Sequence, residues 1–211
     1  IGAVITKQNL EEIPSLLDRV KECGASTFAS GPLWLTGRAS RAIMPSNDEL
    51  VATMKALVRR VGELGLNTPI DAEKFFGAKN VPPKRMYACG AGISALSIDS
   101  NGNVYPCITT HNAAFKAGNA RESPLADIWR DAAIFREIRS ITVDDIPQCA
   151  ACTWKRFCGG ACKLNAYMEH GTIRAPDVYC NAYARLFQDA IFEYGLKGAM
   201  EQGVIHPNDC A

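Results

Sequence analysis

Apolar and polar positions alternate along the chain in ways that predict its elements. Residues Ile1 to Thr6 form a short apolar run suited to a buried strand. After Asn9, a candidate helix cap, Leu10, Ile13, Leu16, Leu17 and Val20 recur at helical spacing, and Gly24 stops the helix just past Cys23. Ala25 to Leu35 is apolar with small residues and predicts a second strand, closed by Gly37-Arg38. Ser46 or Asn47 then caps a second helix with Leu50, Met54, Leu57, Val58 and Val61 on one face, ending near Gly62 to Gly65. A strand–helix–strand–helix run is of parallel α/β type, but two strands are too few to close a sheet.

The pattern changes at Leu66 to Ala88, where Pro69, Pro82, Pro83, Gly77 and four basic residues leave little periodicity. This reads as a linker. Beyond it, Ser94 to Ile98 alternates as a strand, Asp99 to Gly102 forms a turn, and Asn103 to Pro106 returns. Cys89 and Cys107 therefore bracket a β-hairpin, which brings their thiols within reach of one centre. Ser123-Pro124 begins a helix as N-cap and first residue, with Leu125, Ile128, Trp129, Ala132, Phe135 and Ile138 on its apolar face. Trp129 reads as core and Asp144-Asp145 as a capping or solvated pair. Tyr167 to Ala175 is expected as a loop. Cys180 precedes a last helix that faces inward with Tyr183, Leu186, Phe187 and Ile191, before a loose tail from Gly195 to Ala211.

Composition narrows the chemistry. The chain has 211 residues, 47% hydrophobic and 21% charged, an ordinary globular balance. A formal net charge of +1 gives nucleic-acid binding no support. No apolar run approaches a membrane span and no leader is visible, so the expected setting is cytoplasmic, without a membrane partner. The first residue is Ile1 rather than Met, inside a predicted strand, so the chain is expected to be a piece of something longer. Cysteine is the anomaly: nine residues, an odd number, seven of them between Cys89 and Cys180. Clustered thiols without a secretory signal favour metal over disulfides.

The densest stretch runs from Cys149 to Cys162 and is spaced C-x2-C-x5-C-x3-C, with Gly159 and Gly160 between its last two thiols. Such spacing lets one loop offer several thiolates to a soft metal, while glycine lets backbone approach the centre. Cys89, Cys107, Cys149, Cys152, Cys158, Cys162 and Cys180 make seven ligands, and two four-thiolate centres need eight. Zinc and iron–sulfur are the realistic occupants, although a second zinc knuckle is missing. His111, His170 and His206 lack zinc-finger spacing, and His111, four residues after Cys107, is the one candidate for a missing ligand. Cys23 reads as a structural thiol and Cys210 as a free terminal one. No phosphate-loop, G-x-S-x-G or H-E-x-x-H template occurs.

The order Cys89, Gly102-Asn103-Val104-Tyr105-Pro106-Cys107, C-x2-C-x5-C-x3-C and Cys180 resembles the SPASM domain of radical SAM enzymes. Gly118 to Glu122 with Leu125, Ile128 and Trp129 resembles that domain's linking segment and helix. The resemblance covers residues 89–187. Residues 1–65 look like the last strands and helices of the partial (β/α) barrel that precedes such a domain, with 66–88 as linker and 188–211 as helix end and tail. The implied fold class is α+β: a barrel remnant followed by a small cysteine-rich domain of hairpin and helices around two iron–sulfur clusters.

The resemblance further implies two auxiliary 4Fe-4S clusters. Cys149, Cys152, Cys158 and Cys180 would hold the outer one; Cys89, Cys107 and Cys162 the inner one, with an open or non-cysteine fourth position. An open iron could bind a substrate thiolate or amide. Alternatively both clusters relay electrons, tuned by backbone N–H groups and by Lys155 and Arg156. The C-x3-C-x2-C motif of the cluster that cleaves S-adenosylmethionine is absent, so that cofactor and a third 4Fe-4S cluster would belong to a missing N-terminal part. Relatives that oxidise sulfatases carry Asp right after the hairpin cysteine, where this chain has Ile108, which argues against that activity. The expected function is the C-terminal part of a peptide-modifying maturase that forms crosslinks or thioethers, partnered by a peptide substrate and an electron-transfer protein. Rival expectations are a tetrapyrrole or cofactor-pathway radical SAM enzyme and a non-catalytic iron–sulfur or zinc module.

Overall fold

The computed structural model describes residues 1–25, 27–66 and 89–201, with side chains to Phe192 in the last helix. The expected linker, His206 and Cys210 lie outside the described residues. The chain divides into two compact units, one of residues 1–31, 45–77 and 179–211, the other of 32–44 and 78–178.

In the first unit, strand β1 (Gly2–Ile5) pairs with β2 (Ala29–Pro32). The Ile1 amino group donates to the Thr27 carbonyl at 2.8 Å, and the Ala29 N–H donates to the Ile1 carbonyl at 2.9 Å. Bonds from one residue to both neighbours of Phe28 are the evenly spaced pattern of parallel strands, as the sequence predicts. The second strand is shorter than the expected 25–35. Helix α1 (Glu12–Glu22) buries Ile13, Leu17 and Val20. Asn9 does not cap it with its side chain. Instead the amide accepts from Thr6 N–H at 2.8 Å and donates to the Val4 carbonyl at 2.9 Å, tying down the strand exit.

Helix α2 (Asn47–Leu64) starts on a capping box: the Glu49 N–H donates to Ser46 Oγ, and Ser46 N–H donates to the Glu49 carboxylate. It ends on Gly65 at φ 62°. The buried face is Leu50, Val51, Thr53 and Leu57, while Val58 is 46% exposed, so the apolar stripe is rotated from the one expected. The last helix, α8 (Cys180–Glu201), packs on α2. Asn47 Oδ1 accepts the Ala182 N–H at 2.9 Å, Lys55 pairs with Asp189 at 2.7 Å, and Asp48 pairs with Arg185. Phe187 is buried and Ile191 is exposed. Residues Gly195 to Glu201, expected as loose tail, continue this helix.

In the second unit, β3 (Ser97–Ile98), β4 (Asn103–Tyr105) and β5 (Gly118–Asn119) form an antiparallel sheet in that order, with Ser97 opposite Tyr105. The hairpin is the expected one; β5 is an addition. Its turn is organised by Asp99, whose carboxylate accepts from the N–H of Asn101 and Asn103 and from the Asn103 side chain, each at 2.9 Å. These bonds, led by the Asn103 side chain, hold the Asp99 carboxyl below its ordinary range.

The helix expected from Ser123-Pro124 is two helices, α3 (Leu125–Asp131) and α4 (Ala133–Ser140). They are separated at Ala132, whose ψ of 132° is extended, and Pro124 rather than Ser123 is the N-cap. The break lets Ile128 and Phe135 reach Val104 in one buried cluster, with Trp129 packed against it. Tertiary packing here overrides local helical preference. Helices α5 (Pro147–Ala150), α6 (Lys155–Cys158) and α7 (Lys163–His170) follow. Helix α7 takes in Tyr167 to His170, expected as loop, because Tyr167 packs edge-on against buried Phe115 at 4.9 Å.

Candidate metal centre

Six of the seven clustered cysteines, Cys89 to Cys162, lie in the second unit; Cys180 opens α8 in the first. None of the seven forms a disulfide, and neither does exposed Cys23. Among the described residues, no three His, Cys, Asp or Glu side chains sit close enough to hold a metal ion as a group. The backbone around the thiols is nonetheless arranged in specific ways.

Cys89 leads into a tight turn. The Gly90 carbonyl accepts the N–H groups of Ile93, Ser94 and Ala95. Gly92 has φ 65°, and a Cβ there would stand 2.8 Å from Phe135 Cδ1. The turn is pinned by Arg139, whose Nε donates to the Gly92 carbonyl at 2.7 Å while its guanidinium lies 4.3 Å over the Trp129 ring. Trp129 thus packs half-buried against the core, as read from the sequence, and also stacks under Arg139, which was not expected.

Cys107 follows the hairpin and opens a single 3-10 turn, residues 108–110. Its N–H donates to Thr110 Oγ1 at 3.0 Å, and Thr109 Oγ1 donates to its sulfur at 3.4 Å. Ile108 is 74% exposed. His111 is engaged elsewhere: its Nε2 is 2.8 Å from Ser97 Oγ, and its ring stacks on Tyr105 at 4.5 Å. Thr36 Oγ1 donates to the Thr109 carbonyl, and a cavity of about 380 Å³ opens beside it between residues 35–41, His111 and Asn112, and Leu164 to Met168 of α7.

Cys149 is buried in the main apolar cluster with Ile146, Leu164 and Ile173. The Cys152 N–H donates to the Cys149 carbonyl at 3.0 Å, so the C-x2-C pair shares one turn, and the Trp154 N–H donates to Cys152 Sγ at 3.3 Å. Lys155 spans this turn, donating to Asp144 and to the Ala150 carbonyl, both at 2.9 Å. Asp145 caps Thr142, at 2.7 Å from its N–H, so the Asp144-Asp145 pair is structural as expected. Between Cys158 and Cys162 the chain runs through three left-handed residues: Gly159, Gly160 and Ala161 at φ 50°. A non-glycine residue there is strained, and the Cys162 N–H is anchored by buried Asp177 at 2.9 Å.

Cys162 starts α7. Burial pushes the Cys162 thiol up to about 11, against a smaller lowering by the backbone amides of Asn165 and Leu164. The next residue, Lys163, is 3% exposed, and its Nζ has no hydrogen-bond partner. Burial pushes its ammonium below the ordinary lysine range, while Cys89 and Cys162 pull it back up. Sequence reasoning missed Lys163 and Asp177, because a charged residue reads as exposed; adjacency to Cys162 and Cys180 was the available signal. An all-sulfur donor set, an N–H aimed at sulfur and a buried lysine without a hydrogen-bond partner fit an anionic sulfur-ligated group better than a bare divalent ion.

Residues 89–153 match the model of SPASM, described as an iron–sulfur cluster-binding domain. The chain is 26% identical over 198 residues to the AdoMet-dependent heme synthase of Methanosarcina barkeri, covering 85% of this chain and 55% of that protein. It is 27% identical over 187 residues to the PqqA peptide cyclase of Xanthomonas oryzae pv. oryzae, covering 85% and 49%. The chain thus spans about half the length of the curated relatives it matches. Among solved structures, anSMEcpe with bound AdoMet aligns with a TM-score of 0.69 and 17% identity over 95% of this chain and 57% of that one. Streptococcus suis SuiB bound to S-adenosylmethionine aligns at 0.57 and 23% over 85% and 44%. The mixed helix and sheet architecture is therefore shared with these enzymes. No described helix is long and apolar enough to cross a membrane.

Proposed function

We propose that this chain, which carries a SPASM iron–sulfur cluster-binding segment at residues 89–153, is the C-terminal part of a radical SAM enzyme that modifies a peptide. The observation that carries the reading is the sulfur-only donor set in the order and spacing of that domain, with the Thr109 hydroxyl and the Trp154 N–H directed at two of its sulfurs. Cys149, Cys152, Cys158 and Cys180 would hold an outer 4Fe-4S cluster, and Cys89, Cys107 and Cys162 an inner one whose fourth position is not a cysteine. Bound clusters would accept or relay an electron during oxidative crosslinking or thioether formation.

The chain's own residues shape those sites. The Gly90–Gly92 turn under Phe135 fixes where Cys89 leaves the backbone. Asp177 fixes the Cys162 amide, and Lys155 closes the Cys149–Cys152 turn. N–H donors to cysteine sulfur withdraw charge and favour the reduced state of a cluster. Ile108 has no proton-accepting group, so the residue after Cys107 cannot serve as a base. Cleavage of S-adenosylmethionine, with a third 4Fe-4S cluster, would be the work of residues outside this chain.

Iron and acid-labile sulfide analysis of anaerobically prepared protein tests the reading. Equal, high iron and sulfide are expected. Single alanine replacements of Cys89, Cys107 or Cys162 should lower iron, while Cys23→Ala should not. Tightly held zinc without sulfide would sink the proposal, and unchanged iron in all three variants would sink the ligand partition. The heme synthase relative supports a second reading, a tetrapyrrole substrate. The full-length enzyme distinguishes the two by whether a peptide or a porphyrin precursor loses hydrogen in a reaction that consumes S-adenosylmethionine.

A further inference from the structure

Lys163 is a buried lysine, 3% exposed, whose Nζ has no hydrogen-bond partner. As the first residue of α7 it sits at the positive end of a helix, where a cation is disfavoured. The buried carboxylate of this region, Asp177, is committed to the Cys162 N–H at 2.9 Å and to the Asn165 side chain at 3.4 Å. Lys163 follows Cys162 directly in the chain, and negative charge on the sulfurs of Cys89 and Cys162 favours its ammonium form. These come from opposite ends of the second unit's sequence, and both belong to the inner ligand set. Burying an ammonium beside a helix N-terminus is unfavourable unless an anion shares the site.

Resting on the cluster reading above, we propose that Lys163 is a charge-compensating residue for the inner cluster, raising its reduction potential by offsetting the negative charge on the sulfurs of Cys89 and Cys162. A thiolate-ligated iron–sulfur cluster is a net anion and becomes more negative when it takes up an electron, so a nearby fixed cation stabilises the reduced form. Lys163 is a positioning and tuning residue, distinct from the ligands.

The test uses Lys163→Met, which keeps the length of the side chain and removes the charge, and Lys163→Arg, which keeps the charge. Both are compared with the parent chain after anaerobic loading with iron and sulfide. Potentials are read by dithionite titration followed by electron paramagnetic resonance. Lys163→Met should retain its iron and shift one cluster to lower potential while the other stays fixed; Lys163→Arg should leave both near the parent values. Loss of iron in the Met variant with retention in the Arg variant also supports the role. Loss in both, or unchanged potentials in a fully loaded Met variant, overturns it. Unfolding of the metal-free proteins gives an independent reading. Removing a buried polar group that makes no hydrogen bond should raise the urea midpoint of Lys163→Met above the parent, and a lower midpoint would mark Lys163 as an ordinary structural residue. A parent chain that takes up no iron and sulfide refutes the cluster reading itself.

Discussion

Gly92→Ala isolates how tightly the turn after Cys89 is built. Gly92 has φ 65°, and its missing Cβ would lie 2.8 Å from Phe135 Cδ1, an atom of a fully buried ring. Gly171 has nearly the same backbone, φ 69°, with nothing within 4 Å of its would-be Cβ. Both substitutions incur the left-handed cost of about 1–2 kcal/mol. Both recover about 0.4–1 kcal/mol by restricting the unfolded chain. Gly171→Ala should therefore destabilise by roughly 1 kcal/mol. Gly92→Ala adds overpacking against a ring that cannot move aside, a further ~1–3 kcal/mol. The difference between the two variants is the steric contribution alone. Trp34, Trp129 and Trp154 all lie in the second unit, so urea unfolding followed by tryptophan fluorescence reports the unit that holds both glycines. Phe135→Leu in the Gly92→Ala background should return part of the loss as a favourable coupling. If the two alanine variants unfold within ~0.5 kcal/mol of each other, additivity scatter would explain the gap, and the close packing inferred at Cys89 is wrong.

Three further outcomes follow from the same geometry. Ser46→Ala should cost about 1 kcal/mol of stability, seen as faster hydrogen exchange at the start of α2. Glu49 is held below its ordinary range by the Ser46 N–H and then by the Ser46 hydroxyl, so the stability it gives is present at neutral pH and is lost as pH falls through the lowered value. A carboxyl titration by NMR should find Glu49 moved upward in Ser46→Ala. Asp99→Ala strands the hairpin-turn amides of Asn101 and Asn103, and a loss of about 1–3 kcal/mol is expected in urea unfolding; a neutral result would mean the turn forms without its carboxylate.

The parts legible in the sequence were those set by local chemistry. The α2 boundaries follow from Ser46, Glu49 and Gly65, each of which satisfies a helix-end group. The hairpin follows from alternation on either side of Asp99 to Gly102. What escaped was set by distant packing. Nothing at Ala132 marks a break, since neither Gly nor Pro is there; the interruption exists because Ile128 and Phe135 must both reach Val104. The two-residue β5 carries no periodicity, and its partner is fixed by the Ala117 N–H donating to the Val104 carbonyl. At the candidate metal centre the thiols were readable from spacing, but Lys163 and Asp177 were not, because their burial depends on the folding of α7.

The pairing of the two helix N-termini in the first unit has a consequence in time. Asn47 at the start of α2 accepts the N–H of Ala182, two residues past Cys180, across a sequence separation of 135 residues. At synthesis rates of about 5–20 residues per second, α2 waits roughly 7–27 s for that partner. The helix that carries Cys180 is thus made long after the helix on which it docks. A centre that needs this sulfur cannot be finished on the nascent chain as its other thiols emerge. Its completion waits for Cys180, so whatever delivers iron acts only once that sulfur has been made.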